Sequence, residues 1–379
     1  MVMDTPFVYG VIATGEDFTD REEATKHLIQ NFKALTNTMI ISPRRWGKSS
    51  LVHKASQIVE KEESNLRICH IDLFNVRSET HFYELFAEKI IAATSSKWDE
   101  VISMARNLMG RIIPRLNISD GIGAGMSFDF SFNKSDFNPD EILDLPEKIA
   151  INKNLKIIVC IDEFQNLAEL TDGNFIMKRL RSHWQLHQNV GYCLYGSKRH
   201  MMMEIFNDSS KPFYRFGDFI FLDKIPREYW IPFFIRRFQD TGKEIDKASA
   251  NLIAELVDDH PYYCQQLAQI SWLRTEKVCT EEIIRKSHVT LTEQLSLLFE
   301  NLTEGLSQQQ IAYLQAIINE EKAITSSEVM ARYEISSSTA AVRSRDSLVK
   351  SDILDKIGKE IHFQDPVYKY WLKTKYFMK

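Results

Sequence analysis

The stretch Met39-Ile40-Ile41-Ser42-Pro43-Arg44-Arg45-Trp46-Gly47-Lys48-Ser49-Ser50 decides how the chain is read. A short apolar run ends in a turn, the turn closes on Gly47-Lys48-Ser49, and Leu51 to Glu62 read as a helix. Strand, loop and helix in that order are what a phosphate-binding loop requires. Its backbone N–H groups and the open helix N-terminus would face a nucleotide's phosphates. Lys48 would reach the β- and γ-phosphates, and the Ser49 hydroxyl would sit on Mg²⁺. The candidate nucleotide-binding residues are Ser42, Pro43, Arg44, Arg45, Trp46, Gly47, Lys48, Ser49 and Ser50. Within them, Arg44 and Arg45 either touch phosphates or serve a structural or interdomain role, and Trp46 packs rather than stacks on a base. Ser42 stands where the usual pattern has glycine. Gly-Lys-Ser alone is common enough to arise by chance, so the reading needs a second half.

That half is Lys156-Ile157-Ile158-Val159-Cys160-Ile161-Asp162-Glu163. The apolar run has no polar alternation, as in a central strand covered on both faces. Two adjacent carboxylates at a sheet's mouth are costly unless a metal or a water uses them. Asp162 would hold Mg²⁺ through water, opposite Ser49, and Glu163 would polarise the attacking water. Alone, Asp162 and Glu163 could be an ordinary acidic strand end; together with the loop they make a nucleotide site. Ser197 ends the next strand, either as a sensor of the γ-phosphate or as a plain turn serine. Arg215 lies just before a fifth strand, Phe219 to Leu222, as an arginine finger or an ordinary surface arginine.

The 379 residues are too many for one ordinary core. Hydrophobic residues at 44% and charged residues at 26% describe a soluble globular protein. A net charge of −5 rules out a basic nucleic-acid coat and makes any DNA-binding surface local. No signal peptide and no membrane span are expected, which places the protein in the cytoplasm. The five cysteines lack metal-ligand spacing and read as buried free thiols.

Strands alternating with helices up to about residue 225 imply an α/β fold with a mostly parallel sheet. Thr19 or Asp20 would cap the first helix; Trp98 to Gly110 reads as helical; about 114–132 reads as an inserted β-hairpin. After Pro226 the pattern is helical only. From about residue 301 it becomes helix, helix, turn, helix, hairpin and last helix, a winged helix-turn-helix pattern. The expected domains are an ATPase core over 1–225, a helical lid over 226–300 and a winged helix over 301–379.

Phe18-x-x-Arg21-Glu22, the loop Ser42 to Ser49, Ile161-Asp162-Glu163-Phe164-Gln165, Gly196-Ser197, Pro212-x-Tyr214-Arg215, and His260-Pro261-Tyr262-Tyr263 occur in this order. With the C-terminal winged helix, this set resembles the archaeal-type ATPases, in the STAND branch of the AAA+-like P-loop NTPases, over essentially the whole chain. The resemblance implies sheet order 5-1-4-3-2, a helical lid, a winged helix, and ATP as the nucleotide. It implies that Phe18 and Arg21 lie near the adenine and that His260 and Pro261 lie at the lid, near the nucleotide. Asp259 departs from a glycine common in the family.

In the winged helix, Ser338, Arg343 and Arg345 suit a recognition helix and Lys359 a wing that touches phosphate. Interleaved Asp346, Asp352, Asp355 and Glu360 thin that basic face. The partner is double-stranded DNA or, if the module docks, a protein or a second copy of the chain. The leading expectation is an ATP-driven switch with slow hydrolysis. The rival is a DNA-binding regulator that binds nucleotide with little turnover.

Overall fold

The computed structural model describes residues 5–95, 113–117, 127–131, 138–358 and 360–378, with backbone only at 113–117 and 127–131. Residues 21–223 form one compact unit; residues 1–20 and 224–379 form the other.

The first unit is built on five parallel strands: β1 (Thr38–Ile41), β2 (Leu66–Asp72), β3 (Lys156–Asp162), β4 (Val190–Gly196) and β5 (Asp218–Phe221). Their spatial order is β2-β3-β4-β1-β5, the expected 5-1-4-3-2 arrangement. Register sets Asp72 beside Asp162, and Ile41 between Gly196 and Phe221. The carboxyl ends that carry the candidate site residues therefore line one edge of the sheet. Both faces are covered, which is why β1 and β4 are buried throughout and lack polar alternation. On one face Met39, Ile41, Val159, Ile161, Tyr192 and Leu194 join a core with Phe82, Phe86 and Trp184. Their alternates Ile40, Ile158, Cys160 and Cys193 are equally buried on the other.

Around the sheet lie α1 (Glu22–Lys33), α2 (Lys48–Glu62), α3 (Glu79–Thr94), α4 (Leu145–Lys153), α5 (Gly173–Trp184) and α6 (Arg199–Asn207). The N-cap of α1 is Arg21, not Thr19 or Asp20, because Asp20 (φ 56°) and Arg21 (φ 69°) are both left-handed at the entry. Ile113–Asn117 and Ser127–Ser131 pair antiparallel, as expected of the hairpin. The helix expected over 98–110 lies outside the described residues.

The second unit contains α7 (Arg227–Gln239), α8 (Lys247–Leu256), α9 (Pro261–Arg274) and α10 (Glu281–Glu304). It continues with α11 (Gln308–Ile318), α12 (Ser327–Arg332), α13 (Ser338–Lys350), a hairpin of β6 (Leu354–Ile357) and β7 (Glu360–Phe363), and α14 (Pro366–Trp371). α10 runs four residues past the expected lid boundary at 300, ending at Gly305 before the capping box of Ser307 and Gln310.

The expected core began at residue 1, yet the N-terminal segment packs in this helical unit. Phe7 is 1% exposed, its ring 5.5–6.2 Å from those of Phe233, Phe234 and Phe238. Arg237 donates to the Pro6 carbonyl and to Asp17, and Gln265 donates to the Asp17 carbonyl. The described cysteines are all free and buried, and no helix among the described residues is long and apolar enough to cross a membrane.

Phe7→Ala should cost about 3–5 kcal/mol, as for other buried phenylalanines. Thermal unfolding and limited proteolysis check it: the variant melts earlier and is cut first between residues 8 and 20. A segment as protease-resistant as the parent's would show that Phe7 is not its anchor.

Candidate nucleotide site

The loop between β1 and α2 forms because its conformation is divided among a few residues. Arg45 (φ 65°) and Gly47 (φ 91°) are left-handed, and Gly47 is the N-cap of α2. Ser42 is not in that region, so glycine's conformational freedom is not needed where the sequence lacks it. Ser42 is instead buried, its hydroxyl donating to the Pro43 carbonyl at 3.2 Å. Arg44 and Arg45 are exposed, Ser50 is half-buried, and Trp46 is buried at 8% exposure, as expected of a packing residue. The Arg21 guanidinium donates to the Trp46 carbonyl at 3.2 Å, which ties the start of α1 to the loop.

Lys48 is the centre of the site. Only 5% exposed, its Nζ donates to the carbonyls of Pro43 (2.8 Å) and Ser42 (3.0 Å). Burial lowers its pKa to about 8, against the opposing pull of Glu163 and Asp162. From the next position, the Ser49 hydroxyl donates to Asp162 Oδ2 at 2.9 Å. The loop and the end of β3 are thus brought into contact, as their sequences imply. Burial pushes the Asp162 carboxyl up to about 6; the Ser49 hydrogen bond opposes the shift and the charge of Glu163 adds to it.

Glu163 leaves the strand in a left-handed conformation (φ 52°). The next residue, Phe164, is fully buried, its ring 5.2 Å from Phe213 and 5.8 Å from Phe206, and this anchors the turn. The Ser197 hydroxyl (2.9 Å) and backbone N–H (3.3 Å) both donate to Glu163 Oε2. Gln165 Nε2 donates to the same oxygen. The sequence motif assigns Gln165 no role; a polar residue directly after Phe164 at the end of an apolar strand is the signal that could have found it.

Arg215 is exposed and left-handed (φ 52°), its guanidinium 5.2 Å from the centre of the Tyr214 ring. In the other unit, Phe18 is half-buried, and His260 is 4% exposed with its ring 4.9 Å from that of Tyr263. Pro261 opens α9. The preceding Asp259 is left-handed (φ 53°), a conformation that suits glycine; its carboxylate takes two 2.9 Å bonds from Arg227.

In the winged helix, Ser338 and Arg343 are exposed on α13, whereas Arg345 donates to Asp346 at 2.8 Å. Lys359 lies outside the described residues.

The comparisons bear on the fold. A Walker-type ATPase of Pyrococcus abyssi superposes with a TM-score of 0.68 at 16% identity, covering 97% of this chain and 100% of that one. The chain has the fold of the Walker-type ATPases. The Orc2 protein of Aeropyrum pernix, solved in ADPNP–ADP complexes, superposes with a TM-score of 0.59 at 14% identity, covering 96% of this chain and 93% of that one. The Orc1 protein of the same organism, solved with DNA, gives a TM-score of 0.50 at 12% identity, covering 96% and 95%. A family described as a probable winged helix domain matches residues 297–374. No curated protein matches the chain.

The raised Asp162 pKa bears on stability. A carboxyl raised by burial destabilises the fold wherever it is ionised, fully above about pH 6, and the penalty fades towards the unfolded value near 4. Asp162→Asn should therefore raise the melting temperature at pH 7.5, with the gain shrinking below pH 6 and gone near pH 4. A gain that is the same at pH 4 and pH 7.5 would contradict the assigned cause.

Proposed function

We propose that this chain binds ATP with Mg²⁺, hydrolyses it slowly, and passes its nucleotide state to the helical unit that carries the winged helix. The observation that carries the reading is the Ser49–Asp162 hydrogen bond beside a buried Lys48 that donates to the Ser42 and Pro43 carbonyls and, at 3.5 Å, to the Ser42 hydroxyl. An ammonium so placed is matched by an anion, and a hydroxyl facing a carboxylate suits a hard cation.

Lys48 and the N–H groups opening α2 would hold the β- and γ-phosphates, and Ser49 and Asp162 the metal ion. Bound there, Mg²⁺ would neutralise charge developing on the phosphate oxygens. Glu163 would take the proton of the attacking water, and Ser197, now on Glu163, would follow the γ-phosphate. A protein that only stored nucleotide would have no use for Glu163 at this position. Arg215 would serve as the finger, since it is exposed on a turn pinned by the buried Phe213 and Phe216. Phe18 and Arg21 would lie near the adenine, and His260 and Pro261 at the lid. The reading places the protein in the cytoplasm.

A second reading concerns output. Arg343 on the open face of α13 supports duplex contact, whereas the pairing of Arg345 with Asp346 supports protein docking. The archaeal neighbour solved with DNA tips the proposal towards DNA.

Lys48→Ala should weaken a fluorescent ATP analogue by more than about tenfold, the worth of a charged hydrogen bond to phosphate. Glu163→Gln should keep binding and slow single-turnover hydrolysis by about 10²–10⁴-fold. Arg215→Ala should slow hydrolysis too; a parent rate per molecule that rises with concentration puts that arginine in trans. Unchanged affinity in folded Lys48→Ala would sink the loop reading. Equal near-zero rates with and without Glu163 would leave a binding regulator.

For DNA, Arg343→Ala should weaken duplex binding and flatten its salt dependence by about one counterion. If the parent shifts no duplex at low salt with either ATP or ADP, protein docking takes over.

A further inference from the structure

Gln165 is fully buried on the turn after β3, with one amide end on Glu163 and the other packed against β4. Nε2 donates to Glu163 Oε2, the oxygen that also takes both Ser197 donors. The amide cannot be reversed without setting its oxygen against a carboxylate. Oε1 is buried and has no hydrogen-bond partner among the described residues. An unmet buried acceptor costs free energy, so packing alone would favour an apolar residue here. The amide is explained by its other end.

The surroundings show the same constraint. A Cβ on Gly196 would fall 1.8 Å from Gln165 Oε1 and 2.9 Å from Cδ, a collision that glycine avoids. Gly196 ends β4 and leads directly into Ser197, so the residue that makes room for Gln165 also places the second donor. Glu163 itself holds a left-handed backbone that bulky residues avoid, which must be enforced by neighbours.

We propose that Gln165 is a positioning residue for ATP hydrolysis: with Gly196 as its spacer, it fixes the Glu163 carboxylate while Ser197 is free to turn towards the γ-phosphate. Ser197 can then exchange partners without releasing the base. The inference rests on the hydrolysis reading above and deepens it.

The test uses the full chain, a fluorescent ATP analogue for binding and single-turnover ATP hydrolysis for rate. Gln165→Met keeps the volume and removes the donor. It should bind within twofold of the parent and hydrolyse about tenfold to a hundredfold more slowly, the effect of one hydrogen bond to a charged group. Gly196→Ala should slow hydrolysis to a similar degree, because its methyl group displaces Gln165. In a Gln165→Ala background the same Gly196→Ala change should cost much less, since only the 3.0 Å approach to Met202 Sδ remains. A purely structural role would lower binding and rate together.

Gln165→Met hydrolysing within twofold of an active parent overturns the proposal alone, as does an undiminished Gly196→Ala loss in the Gln165→Ala background. A parent that does not hydrolyse ATP overturns the hydrolysis reading and this proposal with it. Should Gln165→Met fail to fold, Gly196→Ala decides: a parent-like rate overturns the proposal, and slowed hydrolysis with intact binding supports it.

Discussion

A nearly dry lysine between two backbone carbonyls is the constraint around which the sheet's carboxyl end is arranged. Lys48 loses most of its hydration, and the Ser42 and Pro43 carbonyls with the Ser42 hydroxyl take its N–H groups instead. Asp162 and Glu163 draw the ammonium towards its charged form, yet burial prevails and its pKa falls to about 8. Asp162 has the mirror-image problem, a carboxyl raised to about 6 by the same dry surroundings. Each group keeps its hydrogen bonds, yet burial disfavours the charged form of both. An anion on Lys48 and a cation on Asp162 would relieve both, so a ligand that brings both should stabilise the folded core by mass action as well as occupy it.

The two places where the sequence departs from its pattern are explained by backbone conformation. Ser42 is tolerated because the left-handed positions of the loop fall at Arg45 and Gly47 instead. Asp259 sits at a left-handed position, where its short side chain is accepted and where Arg227 holds it with two hydrogen bonds. In the first case the glycine was not needed. In the second a polar side chain takes over a glycine's conformation and adds an ion pair.

The meeting of Ser49 with Asp162 was legible from local signals, apolar runs, a turn with Gly-Lys-Ser and carboxylates at a strand end, whereas the strand order was implied only by the family resemblance. What remained hidden depends on contacts distant in sequence. Nothing in residues 5–20 announces that Phe7 inserts among phenylalanines more than two hundred positions away. The cap of α1 was misplaced because Asp20 and Arg21 turn left-handed, and Arg21 reaches across to the Trp46 carbonyl. Arg345 read as a DNA contact from its place on the helix; its pairing with the adjacent Asp346 was not legible there. Gln165 was visible as a letter; its function depends on Gly196, thirty-one positions away and adjacent only through the pairing of β3 with β4.

The same long-range contacts bear on how a switch could deliver its output. α10 begins among the lid helices and ends inside the matched winged-helix region, so no flexible linker separates the two there. Tyr263, three residues into the helix that the His260 turn opens, donates to Asp365, and Asp365 caps α14 of the winged helix. Thr303 and Tyr368 share a buried hydroxyl contact at 2.8 Å, and one continuous core extends from Phe7 through Tyr263 to Trp371. The winged helix is therefore packed against the helices before it rather than tethered to them. If the proposed switch displaces the His260 turn, that packing gives the displacement a route to α13, because a close-packed interior transmits strain.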